Sequence, residues 1–235
     1  MAGFEMSERR ISPFHFRAGP NEIGEDFCSG ALDVDGHAVS WDLQYRSTFR
    51  VTLSSKGWIG FSRTPHSDAV FSGHIMLDRR RFAGDRLGFG VQGHNCGYRH
   101  RNFWNWMHAY FPRTGKTAST LEALFYEMPL GLVFRKAVLW HDGQQHAFRK
   151  FHEIGTARDS MRWNFQCADE KLRLETLVDG SGAGIHRLPY VKTDCSGSFE
   201  VKNNSLASAS LTIENRDGSM EQLETSGGAV LEIVG

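Results

Sequence analysis

The chain has 235 residues, with 27 Lys plus Arg set against 27 Asp plus Glu, so its formal net charge is zero. That neutrality excludes the basic field a nucleic-acid binder needs. With 23% charged and 40% hydrophobic residues the composition is that of a globular chain and not a disordered one. The 17 Phe, 6 Trp and 25 Gly beside only 6 Pro suit twisted strands and tight turns better than helices.

No stretch approaches the ~18–20 apolar residues of a membrane-spanning helix. Residues 1–10 carry Glu5, Glu8, Arg9 and Arg10 without an apolar run, which argues against a secretory leader. Cys28, Cys96, Cys167 and Cys195 are far apart with no CxxC pair, so reduced thiols in a cytoplasmic protein are expected.

Along the chain, Asp-Gly recurs at Asp35-Gly36, Asp142-Gly143, Asp179-Gly180 and Asp217-Gly218, each between alternating segments. Asp-Gly tolerates the positive φ angles of type I′ turns, so each pair predicts a hairpin. Residues 31–41, 138–148, 171–178 and 208–214 alternate as strands, and the apolar run 229–234 reads as a buried last strand. Residues 119–128 come nearest to a helical stripe but read equally well as a strand. About fifteen strands and little helix are expected, which means a barrel or sandwich. Cys28-Ser-Gly-Ala-Leu-Asp-Val34 resembles Cys195-Ser-Gly-Ser-Phe-Glu-Val201, with a shorter echo at Phe71-Ser-Gly. The echo suggests two related β subdomains, residues 1–112 and 113–235, which can also form one continuous barrel. The bland alternative is that Ser-Gly simply precedes strands.

The most unusual segment is 88–111, GFGVQGHNCGYRHRNFWNWMHAYF. Its glycines mark bulges or close approach by another group. They match the letters of a dinucleotide fingerprint, but a strand-like run follows instead of a helix. With residues 102–111 as a strand, one face carries Asn102, Trp104, Trp106, His108 and Tyr110, and the other Phe103, Asn105, Met107, Ala109 and Phe111. The first face, aromatic with polar tips, suits a ligand cavity, and Tyr98 and His100 join it if no bulge intervenes. Plain packing of Tyr, Trp and His at a core edge is the competing reading. His94, His100 and His108 match no trusted metal spacing, so no metal is expected. Trp140, just before an Asp-Gly turn, completes the expected binding set.

Candidate acids outside this segment are Glu122, Glu127, Asp142 and Glu232, with His141 beside them. Glu127, among apolar neighbours, would have a raised pKa if buried and could then act as an acid. A salt bridge with Arg135 is the alternative. Glu232 in the last strand, if buried, must be paired or protonated.

Ser72-Gly73-His74, then Gly93-His94-Asn95-Cys96-Gly97, the aromatic strand Asn102-Phe-Trp-Asn-Trp106 and the ending Gly227-Gly-Ala-Val-Leu-Glu-Ile-Val-Gly235 are similar to motifs of the AttH-like, carotenoid 1,2-hydratase and tocopherol cyclase superfamily. Some fungal Diels–Alderases share that fold. The resemblance implies a lipocalin-like antiparallel β-barrel and a hydrophobic isoprenoid or natural-product substrate. Two departures matter. Family members are commonly longer, with two full domains. The hydratase-type signature resembles His-Asp-His-Asn-Trp-Gly, and the acidic position is Gly93 here, so that carboxylate is not available.

Three functions stand. The first is a cofactor-free cyclase, isomerase or hydratase that binds its hydrophobic substrate in an aromatic-lined β-barrel pocket. His94, His100, His108 or Glu127 would move the proton. Trp104, Trp106 and Trp140 would be walls, and Asn95, Tyr98, Asn102 and Tyr110 would orient a carbonyl. Arg101 or Arg99 would hold a carboxylate. The second is a non-catalytic lipocalin-like carrier of a lipid or pigment. The third is a structural β module. No nucleic acid and no integral membrane segment are expected, and a homodimer is allowed.

Overall fold

The computed structural model describes residues 6–11, 14–54, 60–97, 103–127, 131–192 and 194–235, and side chains from residue 14 on except 54, 60, 61 and 94–97. The described residues form an all-β, lipocalin-like structure with no α-helix. Its strands are β1 (Met6–Ile11), β2 (Phe14–Ala18), β3 (Asn21–Gly24), β4 (Phe27–Val34), β5 (His37–Arg46), β6 (Val51–Ser54), β7 (Gly60–Leu77), β8 (Arg80–Gly97) and β9 (Trp104–Phe111). They continue as β10 (Ser119–Glu127), β11 (Val133–His141), β12 (Gln144–Phe148), β13 (Lys150–Ala157), β14 (Arg162–Ala168), β15 (Leu172–Asp179), β16 (Ile185–Val191), β17 (Ser198–Asn215) and β18 (Met220–Val234). The ambiguous segment 119–128 is thus a strand.

Three of the four Asp-Gly pairs make hairpins. Asp35 and Gly36 turn β4 into β5 with φ of 55° and 81°, and Asp142 and Gly143 turn β11 into β12 with φ of 47° and 75°. Asp217-Gly218 closes β17 onto β18, with Gly218 N–H donating to Asn215 O at 2.9 Å. Asp179-Gly180 does not form one. The Asp179 carboxylate instead accepts from Arg162 Nε at 2.9 Å and from Ser181 N at 2.9 Å, an Asx turn that starts a longer connection.

Two antiparallel sheets result, in the orders β1-β2-β3-β4-β5-β7-β6 with β8 on β7, and β12-β11-β10-β9-β18-β17-β15-β14-β13 with β16 on β17. By compactness the chain divides into Met1–Arg50 with Thr64–Gly93, and Val51–Arg63 with His94–Gly235. The join read from sequence at residues 112/113 falls, in this division, inside the second unit. There residues 112–118 connect β9 to β10, which pair with each other from Ser119↔Phe111 to Tyr126↔Trp104. The Ser-Gly echoes sit in unlike structure: Gly30 lies within β4, whereas Cys195 and Gly197 turn with positive φ.

In the first unit Tyr45 is the buried anchor. Its hydroxyl lies 2.8 Å from Gly24 O and accepts from Gln92 Nε2 at 2.9 Å. The ring packs edge-on to His66 at 5.0 Å and tilted on Phe71 at 5.2 Å. Among the described β8 glycines only Gly90 is crowded: a Cβ there would come within 2.8 Å of the Phe71 ring, while Gly88 and Gly93 face open space.

In the second unit the two edge strands, β12 and β13, are successive in the chain and joined by Arg149 alone, so the sheet curls until its ends are covalent neighbours. Strict alternation drives one face inward, as in β15, where Leu172, Leu174, Thr176 and Val178 are buried and the residues between them are not. Met107, Phe111, Leu121, Leu139, Phe148, Trp163, Phe165 and their neighbours form the unit's buried hydrophobic core. Each such side chain contributes ~1.5–3 kcal/mol by leaving water.

Candidate functional site

The parity of β9 decides where the chemistry lies. Met107, Ala109 and Phe111 point into the barrel core, and Asn105 shares their face, with Nδ2 donating to Glu153 Oε1 and Thr156 Oγ1, each at 3.2 Å. Trp104, Trp106, His108 and Tyr110 therefore stand on the convex face. The two tryptophans and Tyr110 are half-buried, whereas His108 is only 3% exposed. The ribbon looks away from the barrel interior.

Neighbouring strands bring two carboxylates to that face. Glu122 of β10 stands directly opposite His108, and Glu232 of β18 directly opposite Trp106. Directly paired residues have Cβ atoms ~4.5–5.5 Å apart, and diagonal ones remain within reach of a long side chain. Both acids use the diagonal: Trp106 Nε1 donates to Glu122 Oε1 at 3.0 Å, and Trp104 Nε1 donates to Glu232 Oε1 at 2.5 Å. Glu122 is 1% exposed, so an ionised carboxyl there depends on its partners. Burial pushes the Glu232 carboxyl above the usual carboxylate range, against hydrogen bonds from Trp104 and Asn203 that favour the anion.

Rings surround this polar centre. Phe199 meets Trp104 edge-on at 5.7 Å, Tyr190 lies 6.5 Å from Trp104 and 5.9 Å from Phe199, and Tyr126 stacks on Phe134 at 4.8 Å. Trp140 pairs with Thr120 across the β10–β11 ladder, and Thr120 in turn with Tyr110. Trp140 thus shares the face of His108, as the sequence grouping expects. Lys136, also on this face, donates to Thr52 O at 2.8 Å and so ties β6 to β11. Burial, then the charge of Arg149, lowers its pKa.

Of the residues expected from sequence, the structure brings together His108, Trp104, Trp106, Tyr110 and Trp140. Glu127 is exposed at the end of β10, so the burial that would make it an acid is absent. Tyr98, His100, Arg101 and Asn102, with the side chains of His94 and Asn95, lie outside the described residues. Glu122 and Glu232, flagged in the sequence only as apolar-flanked acids, are the groups that the cross-strand register delivers to the aromatic face.

A second cluster caps the barrel core. Ser119 Oγ and His141 Nδ1 are 2.8 Å apart, and His141 Nε2 lies 3.3 Å from Glu221 Oε2 and 3.4 Å from Asp142 Oδ2. Arg113 bonds Asp142, and Glu221 at 2.8 Å. The order Ser–His–acid suggests a nucleophile, but Ser119 stands opposite Phe111 on the core-facing side of the sheet, away from the aromatic face. His141, Asp142 and Glu221 are the one described group able to converge on a metal ion, yet a guanidinium already bridges both carboxylates there. A cation would have to displace it. Elsewhere, an open depression of about 330 Å³ lined by Leu177, Ser208, Ser210 and Glu224 holds none of the expected site residues.

No family model and no curated protein matches the chain. Among solved structures it is similar to the crystal structure of kievitone hydratase from Nectria haematococca, with a TM-score of 0.59 and 12% identity, covering 97% of this chain and 73% of that one. No helix among the described residues is long and apolar enough to cross a membrane. Likeness at this identity is a likeness of fold: the chain shares the all-β, lipocalin-like architecture of that hydratase.

Proposed function

We propose that the chain is an enzyme that moves protons on a hydrophobic, unsaturated small molecule, with hydration of a double bond as the reaction, and that the convex face of the second unit is its site. The observation that carries this reading is the buried His108–Glu122 cross-strand pair within a ring of half-buried indoles. A carboxylate beside an imidazole stabilises the imidazolium, which lets the ring take a proton from water. Trp104 and Trp106 spend their N–H groups on protein carboxylates and so offer apolar rings to a ligand. Aromatic faces also steady developing cationic carbon, by ~0.5–2 kcal/mol per ring. The hydratase fold-neighbour makes hydration the first of the notional reactions to test.

Kievitone and a panel of unsaturated apolar phenols, incubated with the protein, are expected to include a compound that gains the mass of one water. His108→Ala and Glu122→Gln should each lower that rate about 100-fold or more while dye binding at the face persists. Full rates in both variants would remove the proton-transfer role. The same apolar rings would serve a carrier, and ligand retention in native mass spectrometry with no turnover across the panel would favour that reading instead.

A further inference from the structure

We propose that Glu232 is the proton donor of this site, delivering its carboxyl proton to a carbon of the substrate double bond while His108 takes the proton of the attacking water. This rests on the reading of the aromatic face as a proton-transfer site and names its missing acid.

The geometry supports it in three ways. First, among the described residues the Glu232 carboxyl is held by neutral donors alone. Trp104 Nε1 donates to it. Asn203, its direct cross-strand partner on β17, bonds it from the other side, with the Asn203 Oδ1 occupied by Ser205 Oγ at 3.0 Å. Among the described residues no Lys, Arg or His forms an ion pair with Glu232. Burial with no cation beside it raises the carboxyl's pKa and so favours the acid form, outweighing the two hydrogen bonds that favour the anion. Second, Trp104 and Tyr190, with Phe199 packed against both, put apolar and phenolic surface beside the carboxyl. A substrate ring seated there brings its double bond to the proton. Third, the ladder sets the acid and the base at a useful separation. Val230, two residues before Glu232, is the direct partner of His108, so Glu232 and His108 are diagonal neighbours on one face. Such pairs lie ~7–8 Å apart at Cα. The carboxyl turns toward Trp104, on the diagonal opposite to His108, so the two groups act on different atoms.

The step balances. The π electrons of the double bond take the Glu232 proton to form a C–H bond, and the adjacent carbon accepts a lone pair of water to form C–O. The surplus proton of that water passes to His108, where Glu122 offsets the charge. Exchange with solvent then returns His108 to its neutral form and Glu232 to its acid form. The sum is alkene plus water to alcohol.

Among the described residues, the groups facing the carboxyl are Trp104 on β9, Tyr190 on β16 and Asn203 on β17. His186, opposite Asn203, is exposed, and Glu122 with His108 lies beyond Trp106. Tyr190 is itself pushed up, first by burial and then by the Glu232 charge, so it stays neutral through the working range.

Two measurements test this. Difference infrared spectra of wild type against Glu232→Gln at neutral pH should contain a protonated-carboxyl C=O band that the variant lacks; its absence overturns the assignment without reference to any substrate. On a compound that turns over, Glu232→Gln should lose about 100-fold or more in kcat and also the fall in rate at alkaline pH, and Glu232→Asp should keep part of both. Wild-type kcat in Glu232→Gln, with His108→Ala inactive, would overturn the role of Glu232 and leave the function intact. Activity in both variants would sink the function itself.

Discussion

Replacing Arg113 with Met tests the charge network that caps the barrel. The Arg113 side chain is 4% exposed, whereas Asp142 and Glu221 are 54% and 36% exposed. Breaking a fully buried pair costs ~3–5 kcal/mol because a charge is stranded, and an exposed pair is worth ~0–1 kcal/mol. Here the acids left behind face water, so neither is stranded. What is lost is two partly screened contacts and the cation that separates two carboxylates, while Met keeps the apolar stem. Together these amount to about 1–3 kcal/mol, or roughly 2–4 °C in Tm per kcal/mol for a chain of this size. The pH dependence has a definite sign. The hydrogen bond from Arg113, above all, holds the Asp142 carboxyl below its usual range. Its contribution is therefore present above the unfolded value and is lost as pH falls through the folded one. Burial, chiefly, lowers the His141 pKa, and the Arg113 charge adds to that, so Arg113→Met should let His141 protonate more readily. The gap between wild type and variant should be full at neutral pH, narrow as His141 charges, and close only as pH falls through the lowered folded value of Asp142. Urea titrations followed by circular dichroism at both ends of that range read it directly. A gap of the same size at both pH values, or no gap at neutrality, refutes the electrostatic account.

Three further outcomes are expected. Gly90→Ala should destabilise by ~1–3 kcal/mol, because its Cβ would press on the Phe71 ring, while Gly88→Ala in open space should be neutral or slightly stabilising; paired thermal melts compare them. Burial, and then the charges of Cys28 and Asp26, drive the Tyr45 hydroxyl far above the ordinary tyrosine range. Alkaline difference absorbance should show one tyrosine that ionises only on unfolding, a step absent in Tyr45→Phe, which also loses ~1 kcal/mol of hydrogen bonding. Cys195, exposed, should react with a thiol reagent in the native protein well before Cys167, whose buried thiol is pushed up by desolvation and then by Asp169.

The strands were readable because alternation and Asp-Gly turns are local. Asp35-Gly36 and Asp142-Gly143 needed only their own φ preferences, and 229–234 only its apolar run. Asp179-Gly180 failed because Arg162, on a neighbouring strand, and Ser181 captured the aspartate, and a side-chain partner 17 residues away leaves no mark in a dipeptide. The two faces of β9 were legible once a strand was granted. Which one pointed into the barrel was not, since a period of two fixes the partition and not its direction. Glu127 and Glu122 look alike in sequence, being five residues apart on one strand. Glu122 falls mid-ladder opposite His108, whereas Glu127 falls at the open end. The Trp104–Glu232 bond joins residues 128 apart, and register across distant strands is the one quantity that local pattern does not carry.

The register of β9 also couples the two faces of the sheet. Trp163, Phe165, Phe148 and Phe111 are buried in the hydrophobic core on the concave side. Those side chains hold the sheet stiff, and stiffness fixes cross-strand distances on the opposite face. A one-residue slip of β9 against β10 and β18 would turn His108 into the core and bring Met107 out, which places an imidazole against Leu121 and Leu231 with nothing to bond it. The cost of that error in the core is what locks His108 opposite Glu122 and Glu232 one diagonal away. Packing on the concave side thus sets the spacing of His108, Glu122 and Glu232 on the convex side, and the same buried methionine and phenylalanine side chains that supply stability supply the alignment.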